Sequence, residues 1–171
     1  QKLTHLPIAM TDDDLVAKYA AEARKSIDDE AQRLIAETSD PILDAKLRKK
    51  SLFELLESED IVPALLARLG SVRAALQGHG GGIKVESHET LFLDDKQLID
   101  LVLDLTGACL SCGAAPGTLE GVKTDLEADD EIQRVRFSSA LLDTFDELGR
   151  EFILAHGKVE FVDMPTEASN D

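Results

Sequence analysis

Four of the five residues from Gly78 to Gly82 are glycine, and this run divides the chain more sharply than any other feature. Each glycine costs a helix interior about 1 kcal/mol relative to alanine, and consecutive glycines open positive φ and close backbone approach. No helix continues through such a stretch, which predicts a forced turn between a helix and a strand. Upstream, apolar residues recur with a helical period; downstream, they alternate. The chain is therefore expected to be α+β. It has no Trp and a single Tyr, Tyr19, so its 43% hydrophobic content must build a core from Leu, Ile, Val and Ala.

Residues 11–37 read as a helix. Thr11 is its cap, Asp12, Asp13 and Asp14 suit the positive end of its dipole, and Leu15, Tyr19, Ala23, Ile27, Ala31, Leu34 and Ile35 form an apolar stripe. Asp40-Pro41 restarts a helix whose inward face is Ile42, Leu43, Leu47, Phe53, Leu55 and Leu56. A third helix is predicted from Asp60 to about Gln77, weakened at Gly70. Strands follow at Ile83–Glu86, with Leu91–Leu93 either extending it or separate, and at Leu98–Leu105, where Ile99, Leu101, Leu103 and Leu105 alternate with Asp100 and Asp104. A helix over 116–126 turns Leu119, Val122 and Leu126 inward, and Ile132, Val135 and Phe137 mark a third strand. Leu141 to Ile153 reads as one amphipathic helix ending at Gly157, Val159–Val162 is a candidate edge strand, and an acidic tail starts at Pro165. The expected architecture is a small three-stranded sheet covered by helices. Residues 1–59 form a helical N-terminal extension, 60–137 the sheet domain, and 138–171 an extra C-terminal helix with its edge strand and tail.

The formal charge of −16 argues against nucleic acid and anionic membrane surfaces, where repulsion would replace counterion release. The basic cluster Lys46, Arg48, Lys49 and Lys50 reads as a solvated helix face. No apolar run is long enough to span a bilayer, and the opening residues lack a secretion signal, so a cytoplasmic setting is expected.

Chemistry concentrates at Cys109-Leu110-Ser111-Cys112. Two cysteines this close staple little of a fold, and in a chain without an export signal they read as metal-binding or redox-active. Thiolates are soft ligands for clustered iron and for zinc, and a helix start just downstream favours the thiolate form. Small neighbours, Gly107, Ala108, Gly113, Ala114 and Ala115, leave room against the backbone. Alone, the pair fits thiol–disulfide exchange, half a zinc site, half a cluster site or two ordinary cysteines; with zinc or nothing on the pair, the chain reads instead as an interaction module whose helical first 60 residues are the functional part. A four-thiolate cluster needs twice the cysteines present, which a twofold homodimer would supply. His79, His88, His156 and His5 have no ligand spacing to one another, and Arg73 offers either charge compensation near the pair or a structural ion pair. The glycine run lacks the Gly-Lys-Ser/Thr ending of a phosphate loop, and no serine has a recognisable base partner, so no enzyme is expected.

Val72-Arg73-Ala74-Ala75-Leu76-Gln77-Gly78-His79-Gly80-Gly81, followed by Ile83-Lys84-Val85, resembles the helix, double-glycine turn and first strand of the Nfu (NifU C-terminal) domain family. Leu105-Thr106-Gly107-Ala108-Cys109-Leu110-Ser111-Cys112 is similar to that family's strand-to-cysteine segment, and Thr118-Leu119 with Gly121-Val122 echoes its next helix. The resemblance covers about residues 60–137. It implies an αββαβ core, ligation of a labile [4Fe-4S] cluster by Cys109 and Cys112 (with [2Fe-2S] or zinc as alternatives), a homodimer meeting at the cysteine loop, and delivery to apo iron–sulfur proteins alongside the cluster assembly machinery. The chain departs from the family pattern at Gly113 and Ala74, where proline is usual, at His79, where Asp is common, and in a longer segment over 87–97.

Overall fold

A computed structural model describes residues 11–78, 81–107 and 115–165. Helix α1 (Asp12–Thr38) starts at a reciprocal cap in which the Asp14 amide donates to Thr11 Oγ1 and the Thr11 amide donates to Asp14 Oδ2. Its apolar stripe is mostly uncovered, however, and Ala31 is its one buried residue. Asp40 caps α2 (Pro41–Lys49) by accepting from the Ile42 and Leu43 amides. The predicted second helix is in fact two. Ser51 breaks it before α3 (Leu52–Leu55), and Ile42 and Leu43, expected inside, are exposed. Glu131 explains the break: its carboxylate accepts from Ser51 Oγ at 2.7 Å and from the Leu52 amide, capping α3 from the far end of the chain.

The third predicted helix also divides, into α4 (Ile61–Ala67) and α5 (Val72–Gly78). Arg68 and Gly70 sit at the joint. The Arg68 guanidinium donates to the carbonyls of Ala64, Leu47 and Lys50 and to Asp129, while the Gly70 amide donates to Asp125 at 2.8 Å. Carbonyls orphaned at the ends of α2 and α4 are thus satisfied by one side chain.

Strand β1 (Gly82–Leu93) runs unbroken where the sequence left two pieces open, and a bulge between Val85 and Ser87 absorbs the irregularity. It pairs antiparallel with β2 (Lys96–Thr106) through a two-residue turn at Asp94 and Asp95, whose φ values of 50° and 63° fit the twist of a hairpin. The long 87–97 segment is therefore the hairpin tip. α6 (Ala115–Glu127) is the crossover to β3 (Ile132–Ser138), which is parallel to β2. β4 (Phe161–Val162) adds to β3, with the Phe137 amide donating to the Glu160 carbonyl just before it. The sheet is thus four-stranded and mixed, in the order β1-β2-β3-β4, rather than three-stranded. The candidate edge strand is real but short. The predicted C-terminal helix splits into a 3₁₀ turn (Ser139–Thr144) and α7 (Glu147–His156), because Asp146 caps a new start.

One core joins the parts. Leu47, Leu52 and Leu55 from the first 59 residues pack with Leu65, Leu76, Ile99, Leu103, Leu119 and Phe137, and so do Leu141 and Ile153 after the third strand. Asp100, expected on a polar strand face, is buried in β2 and takes Arg134 Nε at 3.1 Å from β3. Among the described residues, no helix is long and apolar enough to cross a membrane.

Candidate functional site

Cys109 and Cys112, and with them His79, lie outside the described residues. The segments that lead into and out of the cysteine pair are described. β2 delivers the chain to Gly107, whose φ of 88° is a left-handed conformation that favours glycine. α6 picks the chain up at Ala115. Opposite the end of β2 stands the end of the glycine run: Gly82 is the register partner of Thr106, and a Cβ on Gly82 would stand 3.0 Å from Thr106 Oγ1. Gly81 is tied to α5 through its amide, which donates to the Leu76 carbonyl at 2.8 Å. The described ends of the two motifs, Gly82 and Thr106, are thus paired at one end of the β1–β2 ladder.

The support beneath them is rigid and apolar. Leu76, Ile83, Leu105, Leu119 and Val122 are all buried. On α6, Gly121 allows close approach to α5, since a Cβ there would lie 3.0 Å from a Val72 methyl. Polar chemistry returns two residues before Thr106. Asp104 has its carboxyl pushed above the usual carboxylate range, chiefly by partial burial and also by the neighbouring Glu86, against the lowering effect of the Leu105 amide and Lys84. Lys84 Nζ stands 3.1 Å from Glu86, so this cation is shared.

Arg73 takes the structural role. Its guanidinium is buried and donates to both carboxylate oxygens of Asp44, at 2.7 and 3.4 Å, while Nε donates to Gln77 at 2.9 Å. The charge of Arg73 is thus balanced by α2 in the N-terminal extension. His88 Nε2 lies 2.9 Å from Glu57, and His156 packs its ring against Phe152. Lys46, Arg48 and Lys49 occupy the last turn of α2, where cations suit the dipole. Among the described residues, no group of three or more His, Cys, Asp and Glu is arranged to hold a metal ion. Sequence reasoning missed the apolar groove between α1, α5 and the start of α6; its signal was the run of small residues Ala74, Ala75, Gly117 and Gly121.

Comparison with protein-family models, with curated proteins and with solved structures gives no match for this chain.

Proposed function

We propose that the protein is a non-enzymatic iron–sulfur scaffold or carrier, holding a labile [4Fe-4S] cluster as cargo on Cys109 and Cys112. What carries this reading is the pairing of Gly82 with Thr106, which sets the end of the glycine turn beside the strand that leads into the cysteines. The order α5-β1-β2-α6-β3 supports it, being the αββαβ order that the sequence resemblance implies. Two thiolates hold half of a four-thiolate cluster, so the functional unit is a homodimer that contributes the same pair from each subunit. A cluster bridged in this way leaves by exchange of thiolates with an apo iron–sulfur acceptor. No net oxidation or reduction is needed.

A second reading has its own observation. β2, α6 and β3 form a parallel crossover unit, with the Cys-x-x-Cys segment between the strand and the helix as expected; the parallel pairing of β2 with β3 is what the sequence did not supply. Such a position suits a thiol–disulfide exchanger with Cys109 as nucleophile and Cys112 as resolving thiol.

Anaerobic reconstitution with iron and sulfide separates the two. The scaffold reading expects a coloured dimer with about two irons and two sulfides per chain, lost in Cys109→Ala and in Cys112→Ala. A colourless monomer without sulfide, or full cluster retention in either variant, overturns it. A dimer with half that iron indicates [2Fe-2S], and metal without sulfide indicates zinc-type binding. Disulfide reductase activity in the metal-free protein, abolished in Cys109→Ser, establishes the exchanger instead.

A further inference from the structure

An exposed apolar surface that continues into a cavity lies on α1. Tyr19 and Ile27 are each 66% exposed, although they belong to the stripe that also carries the buried Ala31, and Val16, three residues before Tyr19, is 68% exposed. The helix has 27 residues and is therefore about 40 Å long, whereas its partner α5 has only seven. Among the described residues, the N-terminal half of α1 consequently has no neighbour of matching length. Toward its other half, the stripe runs into a groove of about 840 Å³ floored by Ala31, Val72, Ala74, Ala75, Gly117 and Gly121. Small residues on the floor let a backbone approach closely, the requirement for seating a helix. At Gly117 the groove is open, since a Cβ there would meet nothing within 4 Å.

Charge decides what can lie in it. α1 carries eight acidic residues against four basic ones, in a chain of net charge −16. Among the described residues, no Lys or Arg lines the groove and Glu30, paired with Arg33, is the one ionisable side chain that does. A two-residue step turns a helix by about 200°, so Lys18 and Lys25, two positions from Val16 and from Ile27, fall on the far side of the stripe, while Arg24, three positions before Ile27, stands at its edge outside the groove lining. Arg33 is occupied by Glu30 and Glu37. A second copy would bring the same acidic helix against itself, and an anionic lipid surface would be repelled as well. The complementary occupant is cationic on its rim and apolar along one face.

We infer that the α1–α5–α6 groove docks a basic amphipathic helix of a partner protein. The reciprocal Thr11–Asp14 cap holds the first turn of α1 in helical form before the partner arrives, which lowers the ordering cost of docking. The groove reaches Gly117, five residues on from Cys112 in the chain. A partner seated there is held next to the end of α6 that follows the cysteine segment. The docking surface itself does not depend on whether that segment carries a cluster.

The test uses the full chain, free of metal, in about 0.1 M salt. Three labelled 18-residue peptides serve as probes: a Leu/Lys amphipathic helix, a scrambled peptide of the same composition, and its Leu/Glu counterpart. Fluorescence anisotropy should show the Leu/Lys helix binding one to one, with the other two at least about tenfold weaker. Gly117→Gln, which projects a side chain into the open groove, and Ile27→Ser should each weaken it by a similar factor with helix content unchanged by circular dichroism. Equal binding of the scrambled peptide would reduce the effect to bulk charge and overturn the inference, as would undiminished binding to Gly117→Gln. Sedimentation of the protein alone checks the remaining occupant: a dimer that Ile27→Ser dissolves assigns the stripe to a second copy and overturns the basic partner. Cluster retention measured on the same variants keeps the two readings apart. Peptide binding without a cluster rejects the metal reading alone, and a retained cluster without peptide binding rejects the docking surface alone.

Discussion

The two helical stretches that precede the glycine turn obey the same periodicity and meet opposite fates. α1 buries one residue in 27, while the short α2 buries Asp44 and Leu47 and α3 buries Leu52 and Leu55. Their charges differ in the same way. Two cations of the body are taken up inside: Arg68 is spread over Asp129 and the ends of α2 and α4, and Arg73 is locked on Asp44. On α1 the ion pairs from Arg33 to Glu30 and Glu37 are more than half exposed. Pairs so exposed are screened by water and salt and contribute little. An amphipathic stripe therefore reports that a face wants a partner, and only tertiary contacts say whether that partner lies within the same chain.

The comparison breaks first at Arg68, where the largest loss is expected. Its side chain is 7% exposed, and truncation would strand Asp129 and the carbonyls of Ala64, Leu47 and Lys50 without their donor. Arg68→Ala should cost about 3–5 kcal/mol in urea unfolding, the range for removing one partner of a buried ion pair. Arg68→Lys should recover only part of this, because an ammonium cannot reach all of those acceptors at once. A loss within ~0.5 kcal/mol would mean that α2 and α4 are held by their Leu47, Ala64 and Leu65 packing alone.

Much of the body was legible because its signals are local. The Thr11 cap, the Asp40-Pro41 start, the alternation along β2, the Leu119, Val122 and Leu126 face of α6 and the glycine turn all depend on residues a few positions apart. What the sequence misjudged depends on distant groups. α3 separates from α2 because Glu131, some eighty positions away, supplies its cap, and α4 separates from α5 where Arg68 and Asp125 intervene. Ile42 looked buried by spacing, yet it is 83% exposed at the first turn of α2. Asp100 looked solvated, yet Arg134 and Arg136 cover it from the neighbouring strand. For the candidate site, the strand leading in and the helix leading out were readable. The meeting of Gly82 with Thr106 was not, because register is set by the hairpin turn at Asp94 and Asp95. The cysteines themselves rest on the sequence alone.

Asp104 sharpens the contrast from within the body, as a carboxylate without a cation of its own. Its folded value is raised above the ordinary carboxylate, mainly by burial. A raised group stabilises the fold fully below its unfolded value of about 3.9 and loses that contribution as pH climbs through the folded value. Asp104→Asn keeps an oxygen to accept from the Leu105 amide and removes the titration. The melting temperature of the variant relative to the parent should therefore rise as pH increases from about 3.9, then level off above the folded value. A difference that stays flat, or that falls with pH, would show that Glu86 and burial do not oppose the charge.

The smallest effect is expected at Ile27, and it tests the opening contrast most directly. If the stripe of α1 has no partner within the chain, Ile27→Ser removes apolar surface from water rather than from a core. Unfolding free energy should then change by less than about 0.5 kcal/mol, in the range of ordinary surface substitutions. The matching substitution in the body, Leu52→Ala, should cost about 2–5 kcal/mol, because Leu52 is fully buried in the shared core. A loss at Ile27 approaching that of Leu52 would mean that α1 folds back onto the body in solution and fills the groove itself. Equality of the two sites would erase the difference between the helices. A near-zero value at Ile27, beside a large one at Leu52, leaves the stripe uncovered in the isolated chain, as docking by an outside helix requires.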